Sequence, residues 1–192
     1  MQLQPLAITR KVTAVLEQLK IPYFIGGSLA SSVHGVVRAT LDADLVADMH
    51  PEHIPGLVDA LKSEFYIDEE MILDAVIHKG SFNVIHLESM FKVDVFILKQ
   101  QPFDLTQMRR RMPVVLGDES AAPIYFSTAE DMILAKLAWF RAGGEVSERQ
   151  WQDVLGMLSL QSGSLDWDYL NKWAETLSLA DLLEKAIQSN TG

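Results

Sequence analysis

The chain has no cysteine among its 192 residues, which excludes disulfides, thiolate metal sites and a cysteine nucleophile together. Any metal it binds must be held by oxygen or imidazole. It has no apolar run approaching the roughly 20 residues needed to span a bilayer. The opening Met-Gln-Leu-Gln-Pro has no basic segment leading into a secretory hydrophobic stretch, so the expected location is the cytoplasm, without a membrane partner. Basic residues are scarce: 16 Lys and Arg against 26 Asp and Glu leave a net charge of −10. Such a field repels polyanions and weighs against long nucleic acid as a partner. A nucleotide is less affected, because it arrives with a divalent cation that offsets much of its charge.

What is present is an ordinary globular mixture, 48 % hydrophobic and 22 % charged, in a length suited to one compact domain with at most a small helical appendage. Leu6, Val12, Val15, Leu16 and Leu19 recur at helical spacing, and Pro22 ends that element. Tyr23-Phe24-Ile25 then reads as a buried strand running into two glycines, with a short helix after Ser28 that stops at Gly35. Leu45-Val46-Ala47 reads as a second buried strand, and a helix carrying Ile54, Leu57, Val58 and Leu61 follows Pro51. Alternation from Phe82 to Leu87 and the run Lys92 to Leu98 predict two adjacent strands. Val114–Leu116 and Ile124–Phe126 are weaker strand candidates. From Thr128 the pattern is helical: a capped helix to Phe140 ending at Gly143-Gly144, then helices over 147–158, 166–176 and 179–188. The expected fold is α/β (α+β), a short mixed sheet flanked by helices over residues 1–126 with a helical portion over 127–192 packed on it.

One segment carries chemistry. Gly26-Gly27-Ser28 is separated from Asp42-Ala43-Asp44 by the thirteen residues 29–41. A triphosphate needs close backbone approach, which glycine permits, and amide N–H groups converging at a helix start; Ser28 adds a hydroxyl donor. Carboxylates at i and i+2 of a strand project to one face, where Asp42 and Asp44 can share hard cations. Asp94 interrupts the apolar run Val93, Val95, Phe96, Ile97, and burying it without a partner would be expensive. A turn or an Asp-x-Asp alone is usually unremarkable structure. The ordered combination of strand, Gly-Gly-Ser, short helix, loop, Asp-x-Asp and second strand is what is informative.

That combination resembles the nucleotidyltransferases of the DNA polymerase β superfamily. The stretch from Gly26 to Leu45 looks like their bacterial stand-alone branch, including the AbiEii-type toxin nucleotidyltransferases, in which an Arg-x-Thr precedes the Asp pair; Arg38 and Thr40 stand there. Ala43 departs from the usual Ile or Val between the ligands. The resemblance implies that Asp42, Asp44 and Asp94 hold Mg²⁺, with Mn²⁺ as a substitute. It also implies that Asp94 binds one metal or acts as general base, and that Gly26, Gly27, Ser28, Arg38 and Thr40 line the nucleotide site. In the helical half, the stretch 128–137 looks like the family helix that brings a lysine to the phosphates, here Lys136; Asp153 is a group that could orient Lys136 or a base, though a solvated helix position is the favoured reading for it.

The implied reaction moves a nucleoside monophosphate from a nucleoside triphosphate to a hydroxyl on a small molecule or a protein side chain. An antitoxin-like protein partner goes with the toxin branch. The rival expectation is a non-catalytic nucleotide-binding or regulatory module of a toxin–antitoxin-like pair, which retention of all three carboxylates opposes. Arg109-Arg110-Arg111 reads as a solvated charge run, His34, His78 and His86 as structural, and the tryptophans of the helical half as core or interface.

Overall fold

A computed structural model describes residues 3–36, 40–116 and 122–190. The chain forms two compact units, one of Met1–Leu29 with Ala39–Ser127, the other of Ala30–Arg38 with Thr128–Gly192. The transfer of 30–38 to the helical unit has no counterpart in the sequence reading.

The first unit is built on a mixed sheet of strands β1 (Tyr23–Ile25), β2 (Asp42–Ala47), β3 (Phe65–Tyr66), β4 (Ser81–His86), β5 (Lys92–Ile97), β6 (Met112–Val114) and β7 (Ile124–Phe126), in the order β3-β4-β5-β2-β1-β7-β6. β2 runs parallel to β5 and β1 parallel to β7, while the other neighbours are antiparallel. Strict alternation along β2 and β5 sends Ala43, Leu45, Ala47, Val93, Val95 and Ile97 to a buried face. Helices α1 (Leu3–Gln18), α3 (Ile54–Leu61) and α4 (Glu69–His78) belong to this unit and supply Val12, Leu16, Leu57, Leu61, Ile72 and Val76 to its core. Asp42, Asp44, Lys92 and Asp94 take the alternate, half-buried positions. One end of that second face is closed by helix α5 (Pro102–Arg110), whose Met108 and Leu105 pack with Phe24, Val46 and Leu98.

The helical unit comprises α6 (Ala129–Ala142), α7 (Glu148–Gln161), α8 (Trp167–Thr176) and α9 (Ala180–Asn190). It also takes in the last residues of α2 (Gly27–Val33) and the turn after them. Thr128, Ser147 and Asp166 cap α6, α7 and α8 by accepting from the backbone N–H three residues on. Ile133, Leu137, Val154, Met157, Leu170 and Leu182 form its interior. The segment 34–36 belongs here because Gln161 donates to the His34 carbonyl and Val36 lies against Gly156, where a Cβ would come within 2.9 Å of it. Among the described residues no helix is long and apolar enough to cross a membrane.

The expected strands and the C-terminal helices are found within a few residues of their predicted bounds. Three elements were not predicted: α4, α5 and the two-residue β3. The Arg109–Arg111 run is also less solvated than expected, since the Arg111 guanidinium lies 5.0 Å from the centre of the Tyr125 ring and donates to the Met108 carbonyl. Of the tryptophans, Trp139 is exposed, while Trp151 stacks at a tilt on Phe140, their ring centres 5.2 Å apart.

Candidate active site

The two halves of the motif meet through backbone geometry. β1 ends at Ile25, and the Gly26 N–H donates to the Asp44 carbonyl at 2.9 Å, carrying the pairing of β1 with β2 one residue beyond the strand. Gly27 opens α2 with φ +54, a left-handed conformation that glycine adopts without strain. Its missing side chain is the second requirement: a Cβ on Gly27 would sit 1.7 Å from Asp44 Oδ2. The Asp44 carboxylate therefore lies directly against the Gly27 backbone. A Cβ on Gly26, by contrast, would meet nothing within 4 Å. Ser28, the next residue of α2, is buried.

The carboxylates come together through strand register. β2 and β5 are parallel, with Asp44 opposite Asp94 and Asp42 opposite Lys92. Residues two apart on a strand share a face, so Asp42, Asp44, Lys92 and Asp94 form a two-by-two patch of three acids and one base. On the far side of β5, Asn83 of β4 is in register with Asp94 and extends the row Asn83–Asp94–Asp44. Beside the patch, the buried Thr40 hydroxyl lies 2.9 Å from the Asp42 carbonyl and 3.0 Å from Asp42 Oδ1. One hydroxyl proton is shared between these two oxygens, so Thr40 is tied to the backbone and the side chain of Asp42.

Lys92 was not singled out from the sequence. Its Nζ donates to Asp94 Oδ2 at 2.7 Å. That bond holds the ammonium above the usual lysine pKa, partial burial opposes the shift, and the charges of Asp94, Asp42 and Asp44 add to it. The signal was available in the Lys-x-Asp spacing on a strand, which puts both ends on one face. Among the described residues no three His, Asp or Glu side chains already converge as a metal cage. Three carboxylates on one sheet face are nevertheless a hard-oxygen donor set suited to Mg²⁺ or Mn²⁺, and the lysine cation among them shows that the patch accommodates positive charge.

Two further expected site residues are Arg38 and Lys136. Arg38 lies outside the described residues. Lys136 is in the helical unit, on α6, buried, with Nζ donating to Asp153 Oδ2 of α7 at 2.7 Å. Asp153, for which a solvated helix position was the favoured expectation, is instead buried with Lys136 as an ion pair.

No protein-family model matches the chain, and no curated protein matches it in sequence. Solved structures do. The antibiotic-resistance factor ANT(2'')-Ia in solution is 16 % identical, with a TM-score of 0.57 over 100 % of this chain and 98 % of its own. The crystal structure of ANT(2'')-Ia with adenylyl-2''-tobramycin is 13 % identical, with a TM-score of 0.58 over 90 % of this chain and 95 % of its own. An antigenic nucleotidyltransferase-like protein from Paracoccidioides brasiliensis is 16 % identical, with a TM-score of 0.54 over 94 % of this chain and 91 % of its own. At such identities the likeness speaks to architecture, and the architecture is the nucleotidyltransferase fold.

Proposed function

We propose that this chain is a divalent-metal-dependent nucleotidyltransferase that moves a nucleoside monophosphate from a nucleoside triphosphate to a hydroxyl. The observation that carries the proposal is the contact between the Gly27 backbone and the Asp44 carboxylate, with Asp94 in register beside it. This contact joins a phosphate-type turn to an acidic patch, the two parts such a reaction needs in one place. Asp42, Asp44 and Asp94 are the proposed ligands of Mg²⁺ or Mn²⁺. When bound, the metal offsets the triphosphate charge and makes the acceptor hydroxyl more acidic.

The chain's own groups do the rest. Backbone N–H groups at the start of α2 and the Ser28 hydroxyl donate to triphosphate oxygens. Asp94 accepts the proton of the acceptor hydroxyl, whose oxygen bonds to the α-phosphorus as pyrophosphate leaves. Thr40 keeps the Asp42 carboxylate aimed. The family resemblance also assigns Lys136 to the triphosphate. Because its ammonium is bound to Asp153, that residue would aim it in this reading, and Asp153→Asn should weaken nucleotide binding as well as the fold.

For the acceptor, the reading favours a small hydroxylated molecule carrying amines. A net charge of −10 draws cations to the protein, and ANT(2'')-Ia has been captured with an adenylylated tobramycin. The likeness of residues 26–45 to the toxin branch supports a second acceptor, a protein side-chain hydroxyl, and with it an antitoxin-like partner.

Incubation with each labelled nucleoside triphosphate and Mg²⁺ or Mn²⁺, followed by detection of label on aminoglycosides, on the protein itself and on added protein, tests the reaction and separates the acceptors. Asp42→Asn and Asp44→Asn should each abolish Mg²⁺-dependent nucleotide binding while leaving the fold intact or slightly stabilised, since each relieves repulsion but removes a ligand oxygen. Nucleotide binding unchanged in both variants would remove the proposal.

A further inference from the structure

The acidic patch contains its own cation. Lys92 and Asp94 leave the same face of β5, their charged atoms are 2.7 Å apart, and Asp42 is opposite Lys92 on β2. The oxygen that Lys92 occupies belongs to the carboxylate the proposed reaction assigns to the metal. The lysine side chain is 41 % exposed and that of Asp94 19 %, so the ammonium reaches the patch from the solvent side on a flexible stem and can leave without repacking the core. An ion pair of this exposure is weak, usually within about 1 kcal/mol, and a divalent cation can displace it.

Resting on the nucleotidyltransferase reading, we propose that Lys92 is a resident counter-ion: it holds Asp94 and screens the patch while no metal is bound, and a divalent cation must displace it to bind. Without it, Asp94 would lose the cation bound to its carboxylate while Asp42 and Asp44 remain on the same sheet face. With it, one of the three negative charges is offset, and a bare divalent ion gains less on entering because it must first expel a like charge. A metal that arrives on a triphosphate does not meet the same obstacle, since the phosphates offer the displaced ammonium a new partner. Lys92 thus acts as a positioning residue that biases the site toward metal–nucleotide over metal alone.

The test is Mn²⁺ binding to the full chain without nucleotide, followed by loss of the free-ion electron paramagnetic resonance signal. Lys92→Met, which keeps most of the stem and removes the charge, should bind bare Mn²⁺ about tenfold more tightly, as expected when a positive charge within a few ångströms of the ion is deleted at a partly exposed site. Lys92→Arg should bind like the parent. A second readout compares melting temperatures with and without Mn²⁺. The stabilisation by metal should be larger in Lys92→Met than in the parent, whereas loss of a merely structural contact would lower both values equally. Bare Mn²⁺ affinity in Lys92→Met that is unchanged or weaker, or equal metal stabilisation in the two proteins, overturns the counter-ion role. Asp42→Asn and Asp44→Asn serve as controls. If neither affects Mn²⁺ binding, the metal is not at this patch, and the nucleotidyltransferase reading fails along with the counter-ion.

Discussion

Two lysine–aspartate pairs in this molecule share an N–O distance of 2.7 Å and differ in everything else that sets an ion pair's worth. Lys92 and Asp94 lie on the acidic sheet face, with side chains 41 % and 19 % exposed; Lys136 and Asp153 join α6 to α7 inside the helical unit, with side chains 10 % and 4 % exposed. Distance alone would rank them equal. Burial separates them, because water screens the first pair and leaves each partner somewhere to go, while in the second neither charge can be left alone. In the proposed reading the first pair opens for a cation, while the second holds α6 to α7 and keeps Lys136 aimed.

The largest expected effect is on the buried side of this comparison. Lys136→Met removes the cation bound to the buried Asp153 carboxylate and should cost about 3–5 kcal/mol of stability, read from urea denaturation. Adding Asp153→Leu should restore most of the loss, because the pair together is replaceable by apolar packing. Lys92→Met measured the same way without metal should cost no more than about 1 kcal/mol. Equal losses for the two lysines would break the comparison.

Next in size is an effect on turnover. Asp94→Asn removes the group proposed to take the acceptor proton, an interaction made mainly in the transition state. Turnover should fall at least about a hundredfold, while Mg²⁺-nucleotide affinity stays within about tenfold, or roughly 1.4 kcal/mol. Single-turnover transfer beside nucleotide titration separates the two. Turnover equal to the parent's would reduce Asp94 to a strand residue paired with Lys92.

The smallest effect sharpens how the exposed patch is held, which is by backbone fit more than by its ion pair. Gly27→Ala must both strain a φ of +54 and displace the Asp44 carboxylate. It should lose about 1–3 kcal/mol together with Mn²⁺ affinity. Gly26→Ala projects into open space and should leave the melting temperature unchanged. The same loss at both glycines would mean that the turn tolerates no side chain at all, and that Asp44 is not the reason for Gly27.

The elements that the sequence left unread have physical reasons for their silence. α4 buries Ile72, Ala75 and Val76 but exposes Met71, Leu73 and Ile77, so its apolar residues do not trace one stripe. α5 buries only Gln107 and Met108 in full and is mostly polar along its length. β2 was expected from Leu45 and begins at Asp42, because pairing with β5 over six residues overrides the poor strand propensity of aspartate. That override matters most to the site, since it places both acids inside the ladder.

By itself the sequence determined the local grammar: strand, glycine turn, short helix, acidic pair, and a later strand interrupted by Asp94. It did so because alternation, helical period and glycine punctuation are written in near neighbours. Tertiary structure alone decided that Asp44 faces Asp94, that Lys92 takes the oxygen beside them, that Gly27 is small because Asp44 needs the space, and that Lys136 is buried against Asp153. Each of these depends on the register or packing of elements distant in the chain, where a one-residue slip on a strand would turn every side chain to the opposite face.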